Sequence, residues 1–167
     1  MTAFVTQVGE GFVGSGAHAA HVNTVLGAKG GPVETAWATA LATPREGHVP
    51  FVTVLRPNLP VKPLTLFVNK ATIAGDAHAR LTWGAAQAGV AGGVADAVAD
   101  RVITPGTVDV LLLVAAVWVD PDAVDERLVY TNNRSAPLAA LTAGRNGDPT
   151  LEAVLDARGD PQNPFFS

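Results

Sequence analysis

The chain has 167 residues, a length that fits one ordinary domain and lets a core form without disulfide or metal staples. Apolar residues make up 48% and charged residues 16%, which excludes a disordered chain, and a net charge of −4 with no basic stripe excludes a nucleic-acid binder. There is no cysteine, so disulfides, thiolate zinc sites and cysteine nucleophiles are excluded, while the redox compartment stays undetermined.

Met1 to Glu10 lacks the basic region and apolar core of a signal peptide. The longest apolar run, Val110 to Val119, is short of the ~20 residues that span a bilayer, so the expected setting is the cytoplasm and no membrane partner is expected. Phe4 to Val8 alternates loosely and predicts a strand, after which Gly9, Gly11, Gly14 and Gly16 predict turns. Ala17 to Leu26 predicts a second strand, with Ala20, Val22 and Leu26 on one face and His21, Asn23 and Val25 on the other. Gly30-Gly31-Pro32 ends it and starts a helix, with Val33, Trp37, Ala40 and Leu41 at helical spacing and Pro44 as the stop.

Val49 to Leu55 predicts a third strand, Pro57 to Pro63 a stiff proline-rich connector, and Leu64 to Asn69 a fourth strand. A helical region follows from about Asp76 to Val102, with a break near Gly84 and an apolar stripe of Val90, Ala91, Val94 and Val98 that Gln87 shares. Val108 to Val119 predicts a long buried strand, and Leu138 to Ala143 part of a last helix. The tail from Gly144, rich in Gly, Pro and Asp, is expected to form a loosely packed C-terminal arm in which Phe165 and Phe166 need a seat. One α/β (α+β) domain over residues 1–167 is expected, a mixed or antiparallel sheet with helices on one face.

Few residues carry a chemical signal. His21 shares its face with Asn23, and a histidine can give or take a proton near neutral pH; the alternative is a histidine satisfied in the core or at an interface. His18 and His21, three apart on a strand, point to opposite faces and make no metal pair, and no metal is expected elsewhere. Lys70 and Thr72 point the same way in extended chain, where the lysine can hold an electron-rich group, form a Schiff base if its pKa is depressed, or simply be solvated. Gln87 is an amide on an apolar helix stripe, whose partners are backbone groups or a flat heterocyclic ligand. The glycine-rich stretches match no full dinucleotide or Walker pattern.

Blocks along the chain do more together than any of these alone. They are Val8-Gly9-Glu10, Ala20-His21, Gly30 to Pro32 leading into Glu34-Thr35-Ala36, Pro57-Asn58-Leu59-Pro60 with Lys62-Pro63, and Asn69-Lys70 with Thr72-Ile73. Gly84, Ala86-Gln87, Gly89-Val90-Ala91, Asp96 to Ala99 and Pro164-Phe165 continue the series. In this order they resemble the formaldehyde-activating enzyme family, the tetrahydromethanopterin hydro-lyases, from about Val5 to Phe166.

The resemblance implies a fold like the second domain of ribosomal protein S5 and a homopentamer with sites between subunits. It implies a lyase that condenses formaldehyde with tetrahydromethanopterin, as co-substrate, to the methylene derivative and water, with no tightly bound cofactor. The family's catalytic histidine falls on His21 as general acid, and its pterin contacts fall on Asn23, Val52, Lys70, Thr72 and Gln87. Two positions depart from the family pattern: Asn23 stands where aspartate is usual and Val52 where leucine is usual, the first removing a charge and the second trimming the pocket. Two other readings stand beside the family reaction: a diverged paralogue that condenses an aldehyde with another reduced pterin or amine, and a non-catalytic small-molecule binding module.

Overall fold

The computed structural model describes residues 4–165, so Met1 to Ala3, Phe166 and Ser167 lie outside the described residues. Among the described residues seven strands and five α-helices follow one another. In chain order they are β1 (Gln7–Val13), β2 (Ala20–Ala28), α1 (Pro32–Ala42), β3 (Phe51–Val52), β4 (Val54–Arg56), β5 (Leu59–Pro60), β6 (Leu64–Asn69), α2 (Gly75–Arg80), α3 (Gln87–Ala99), β7 (Leu111–Trp118), α4 (Glu126–Asn146) and α5 (Leu151–Ala157). The main sheet has the order β1-β2-β7-β6-β3; every pair is antiparallel except β6–β7, so the expected mixed α+β sheet is present.

The register sorts the strands into two faces. Val22 pairs with Val117 and Thr24 with Ala115, which in turn pairs with Phe67; these side chains are buried beneath α3 and α4, among Val90, Val94 and Val129. His21 pairs with Trp118, and Asn23 with Ala116 on β7 and Glu10 on β1, so these residues face the other way. At the far end of that second face α1 seats Val33 over Gly27, where a Cβ would lie 2.4 Å from Val33 Cγ2.

The first strand is longer than expected, because Gly9 and Gly11 lie inside β1 and not in turns. A Cβ at Gly9 would sit 1.8 Å from the Ala140 carbonyl oxygen, and one at Gly11 2.2 Å from that of Ala136. Both glycines let the backbone of α4 press onto the strand, a demand made by a helix far along the chain. Gly14 and Gly16 do occupy turns, with φ of +89° and +59°.

Other elements differ from expectation for local reasons. The predicted third strand splits at Thr53, whose amide donates to Thr65 O at 2.8 Å and whose carbonyl accepts from Val61 N at 3.1 Å. The proline-rich connector is a hairpin, β4–β5, turning through Asn58 at φ +65°. The predicted break near Gly84 is a π-helical turn, Leu81–Ala86, between α2 and α3, so helix continues from Gly75 to Ala99. The last core helix is far longer than Leu138 to Ala143. Asp125 caps it by accepting from Leu128 N at 3.0 Å, and it runs through Pro137 to Gly147, left-handed at φ +74°. In the tail α5 has no buried residue, and Phe165 is exposed with its ring edge-on to Trp118 at 6.4 Å between centroids. None of the described helices is long and apolar enough to cross a membrane.

Candidate active site

The face opposite α3 and α4 carries a polar cluster at the end that α1 leaves open. β1 supplies Glu10, β2 supplies His21 and Asn23, and the residue just past β6 supplies Lys70. Lys70 lands there because β6 ends at Asn69 and the Lys70 amide still donates to Val117 O at 2.8 Å, which keeps the strand direction for one more residue. The Lys70 ammonium donates to Asn23 Oδ1 at 2.8 Å and lies 3.3 Å from His21 Nδ1. On the other side of the ring His21 Nε2 lies 3.0 Å from Glu10 Oε1. The imidazole therefore accepts at Nδ1 and donates at Nε2, a single tautomer set by a cation on one side and a carboxylate on the other.

The electrostatics follow from that placement. Burial and then the nearby Lys70 charge hold the His21 pKa below its ordinary 6.5, while Glu10 pulls against both. Burial also holds Lys70 below its ordinary 10.5, again opposed by Glu10. A histidine poised low gives up its proton readily, and a carboxylate at its far nitrogen steadies the protonated state while it lasts. Phe12 pairs with His21 across the strands, its ring tilted at 6.0 Å from the imidazole.

Thr72 lies on a neighbouring network. The chain bends at Lys70 and Ala71, so Lys70 and Thr72 find different partners and do not act as one strand-end pair. The Thr72 hydroxyl is 3.1 Å from His48 Nε2, and His48 Nδ1 is 2.9 Å from Asn69 O; a ring that donates to that carbonyl accepts from the threonine. The Asn69 amide donates to Gly47 O and Ala71 O, tying the His48 loop to the end of β6. Val52 pairs with Leu66, two residues along from Val68 and on the same face as the cluster.

Gln87 lies elsewhere. Its Oε1 accepts from Val54 N at 2.6 Å, so the buried amide does have a backbone partner. With Val49, Phe51, Val54 and Trp83 it lines a shallow pocket of about 430 Å³ at the β3 end of the molecule. The π-helical turn immediately before Gln87 carries Trp83 on its exposed side.

Residues 8–166 match the family described as formaldehyde-activating enzyme (Fae). The chain is 41% identical to a 5,6,7,8-tetrahydromethanopterin hydro-lyase of Methanosarcina barkeri, a similarity that covers 96% of this chain and 90% of that one. It is also 41% identical to a bifunctional enzyme Fae/Hps of the same organism and 36% identical to one of Archaeoglobus fulgidus, but it spans only 38% and 40% of their lengths. The chain belongs to the formaldehyde-activating enzyme family.

Within this family member, His21, Asn23 and Lys70 come together in one chain, while Thr72 and Gln87 point to separate surroundings. Glu10 is the residue that the sequence reading missed. It sits between Gly9 and Gly11 in a stretch taken for a turn, although strict alternation of glycine with a carboxylate was a signal that one face was being pressed flat and the other kept polar. The remaining histidines have structural partners. His18 Nε2 accepts from Val124 N and Asp125 N at 3.2 and 3.0 Å, at the start of α4. His78 is buried, accepts from Ala74 N at 3.0 Å and bonds Val119 O at 2.9 Å. Among the described residues no group of three or more metal-ligating side chains comes together.

Proposed function

We propose that this protein is a lyase that condenses formaldehyde with tetrahydromethanopterin to the methylene derivative and water, with His21 as the general acid. The observation that carries the reading is His21 held between the Glu10 carboxylate and the Lys70 ammonium on an open sheet face, in a member of this family. An amine of the carrier adds to formaldehyde to give a carbinolamine. Protonated His21 then gives its proton to the leaving hydroxyl, water departs, and an iminium remains for the second amine to close. Proton transfer of this kind is worth roughly 10²–10⁴-fold.

Asn23, Val52, Lys70, Thr72 and Gln87 are the residues proposed to hold the carrier. Asn23 accepts from Lys70 through a neutral amide oxygen, so the lysine stays oriented although the usual aspartate charge is gone. Identity to the hydro-lyase over nearly both whole chains favours this reaction over a paralogue acting on another amine or a non-catalytic module. The reading includes a homopentamer acting in the cytoplasm. What supports shared sites is the separation of the parts: the Gln87 pocket adjoins the β3 edge, three strand spacings or about 14 Å from β2. Exposed Val49, Leu55, Leu59 and Trp83 surround that edge, where a second copy could bring its own His21 to the pocket. Light scattering tests the assembly, with five chain masses expected.

Stopped-flow absorbance with formaldehyde and tetrahydromethanopterin tests the reaction. The protein is expected to raise the condensation rate well above the uncatalysed background; a rate equal to the background contradicts the reading.

A further inference from the structure

The geometry points to a second role for Lys70: its amine takes up formaldehyde as an iminium and hands the carbon to the carrier. The inference rests on the proposed net reaction and deepens it by placing the first carbinolamine on Lys70 in place of the carrier, with His21 still the acid. Three lysines occur in the sequence, and two are occupied elsewhere: Lys29 Nζ donates to Asp109 O at 2.6 Å, and Lys62 is paired with the Asp109 carboxylate. Lys70 alone is half-buried, with a neutral amide oxygen and an imidazole nitrogen as its hydrogen-bond partners. Neither partner fixes the ammonium as a contacting carboxylate would; the nearest carboxylate, Glu10, contacts the far side of the imidazole.

The Lys70–His21 contact also solves a proton problem. A nucleophilic amine and a general acid are both needed, and moving one proton from Nζ to His21 Nδ1 supplies both, with Glu10 in place to steady the imidazolium at Nε2. Burial lowers the pKa of both groups, but the transfer also removes the Lys70 charge that holds the His21 pKa down.

The steps balance. The free Lys70 amine adds to formaldehyde, forming an N–C bond and a carbinolamine. His21 protonates its hydroxyl, the C–O bond breaks, and water leaves a Lys70 iminium. A carrier amine adds to that carbon, its proton moves to the Lys70 nitrogen, and the Lys70 N–C bond breaks, leaving an iminium on the carrier and a free Lys70 amine. The second carrier amine closes the ring and its proton returns to His21. One proton is spent and one recovered, and no oxidant or reductant takes part.

Reductive trapping tests this on the full-length protein. The protein is incubated at neutral pH with ¹³C-formaldehyde and cyanoborohydride, digested, and each lysine peptide is followed by mass spectrometry over time. Lys70 is half-buried with no carboxylate on its ammonium, whereas Lys29 and Lys62 are held at Asp109, so Lys70 is expected to gain label several-fold faster than either. With formaldehyde in excess over tetrahydromethanopterin, the carrier is expected to suppress the label at Lys70 and not at Lys29 or Lys62. Asn23→Asp, which puts a charge against the ammonium, is expected to slow Lys70 labelling several-fold and leave the other two unchanged. Lys70→Arg keeps the cation and is expected to lose about 100-fold in turnover, because the guanidinium cannot be deprotonated to attack. A protein that accelerates the condensation while Lys70 labels no faster than Lys29 and Lys62 overturns the covalent step and leaves the reaction standing. Parental turnover in Lys70→Arg overturns it equally. A protein that gives no acceleration overturns the reaction and the covalent step together.

Discussion

The two faces of the central sheet are made by the same strands and obey opposite rules. On the helix-covered face Gly9 and Gly11 have no side chains, Val22 and Thr24 are buried, and α4 lies so close that a single added carbon would strike its backbone. On the open face, one residue along in each case, stand Glu10, His21 and Asn23, joined by Lys70. Period-two alternation thus lets one strand hold the fold with its odd residues and the chemistry with its even ones, or the reverse. Scaffold and site can be perturbed separately, by substitutions at adjacent positions.

Gly9→Val breaks the covered face and is expected to have the largest effect. Its Cβ falls on the Ala140 carbonyl, so α4 must lift, at a cost of about 3 kcal/mol or more in a denaturant titration. His78→Leu attacks the same side by a different route, leaving the Ala74 amide and the Val119 carbonyl without their partner. We expect about 2 kcal/mol of lost stability, with turnover per folded molecule unchanged.

Glu10→Gln, beside Gly9 in sequence, sharpens the contrast. The thermal midpoint should move little, while kcat/KM falls by about tenfold, or roughly 1.4 kcal/mol, because the imidazolium loses its carboxylate. A large drop in thermal midpoint with little loss of rate would mean that Glu10 belongs to the scaffold. The smallest effect is expected at Asp96→Asn, where α3 is tied to Arg134 of α4. Its carboxyl is held below the ordinary 3.8 chiefly by its hydrogen bonds from Arg134, so the pair's stabilisation is present above that value and is lost as pH falls through the lowered one. As a partly exposed pair it is worth less than about 1 kcal/mol at neutral pH, and the difference from the parent should vanish in strong acid.

What was legible in the sequence follows the same division. The two faces of β2 were plain from alternation, and β6 was readable end to end because Leu64, Leu66, Phe67 and Val68 make a short apolar stretch with proline before it. β1 was misread because the demand for glycine at 9 and 11 comes from Ala136 and Ala140, which lie more than a hundred residues away in sequence. Most of α4 escaped for a related reason. Its buried side carries Asn133 and Pro137 among Val129, Ala136, Ala140 and Leu141, so the apolar period is interrupted where the helix is most buried. At the site, the histidine, the amide beside it and the lysine were singled out from residue type and family resemblance, and the fold brings those three together. Glu10 was hidden by the glycines around it. Gln87 was recognised as a buried amide needing a partner, and the Val54 amide supplies one.

His21 stands as the proposed acid of the open face, whereas His78 is a structural histidine. The most direct test of the His21 role is the stopped-flow condensation rate of His21→Ala against the parent, with the thermal midpoint of each measured alongside. His21→Ala is expected to lose roughly 10²–10⁴-fold in rate with the midpoint essentially unchanged, since the ring is partly exposed and holds no backbone group in place. A His21→Ala protein that condenses formaldehyde and tetrahydromethanopterin as fast as the parent would contradict that role.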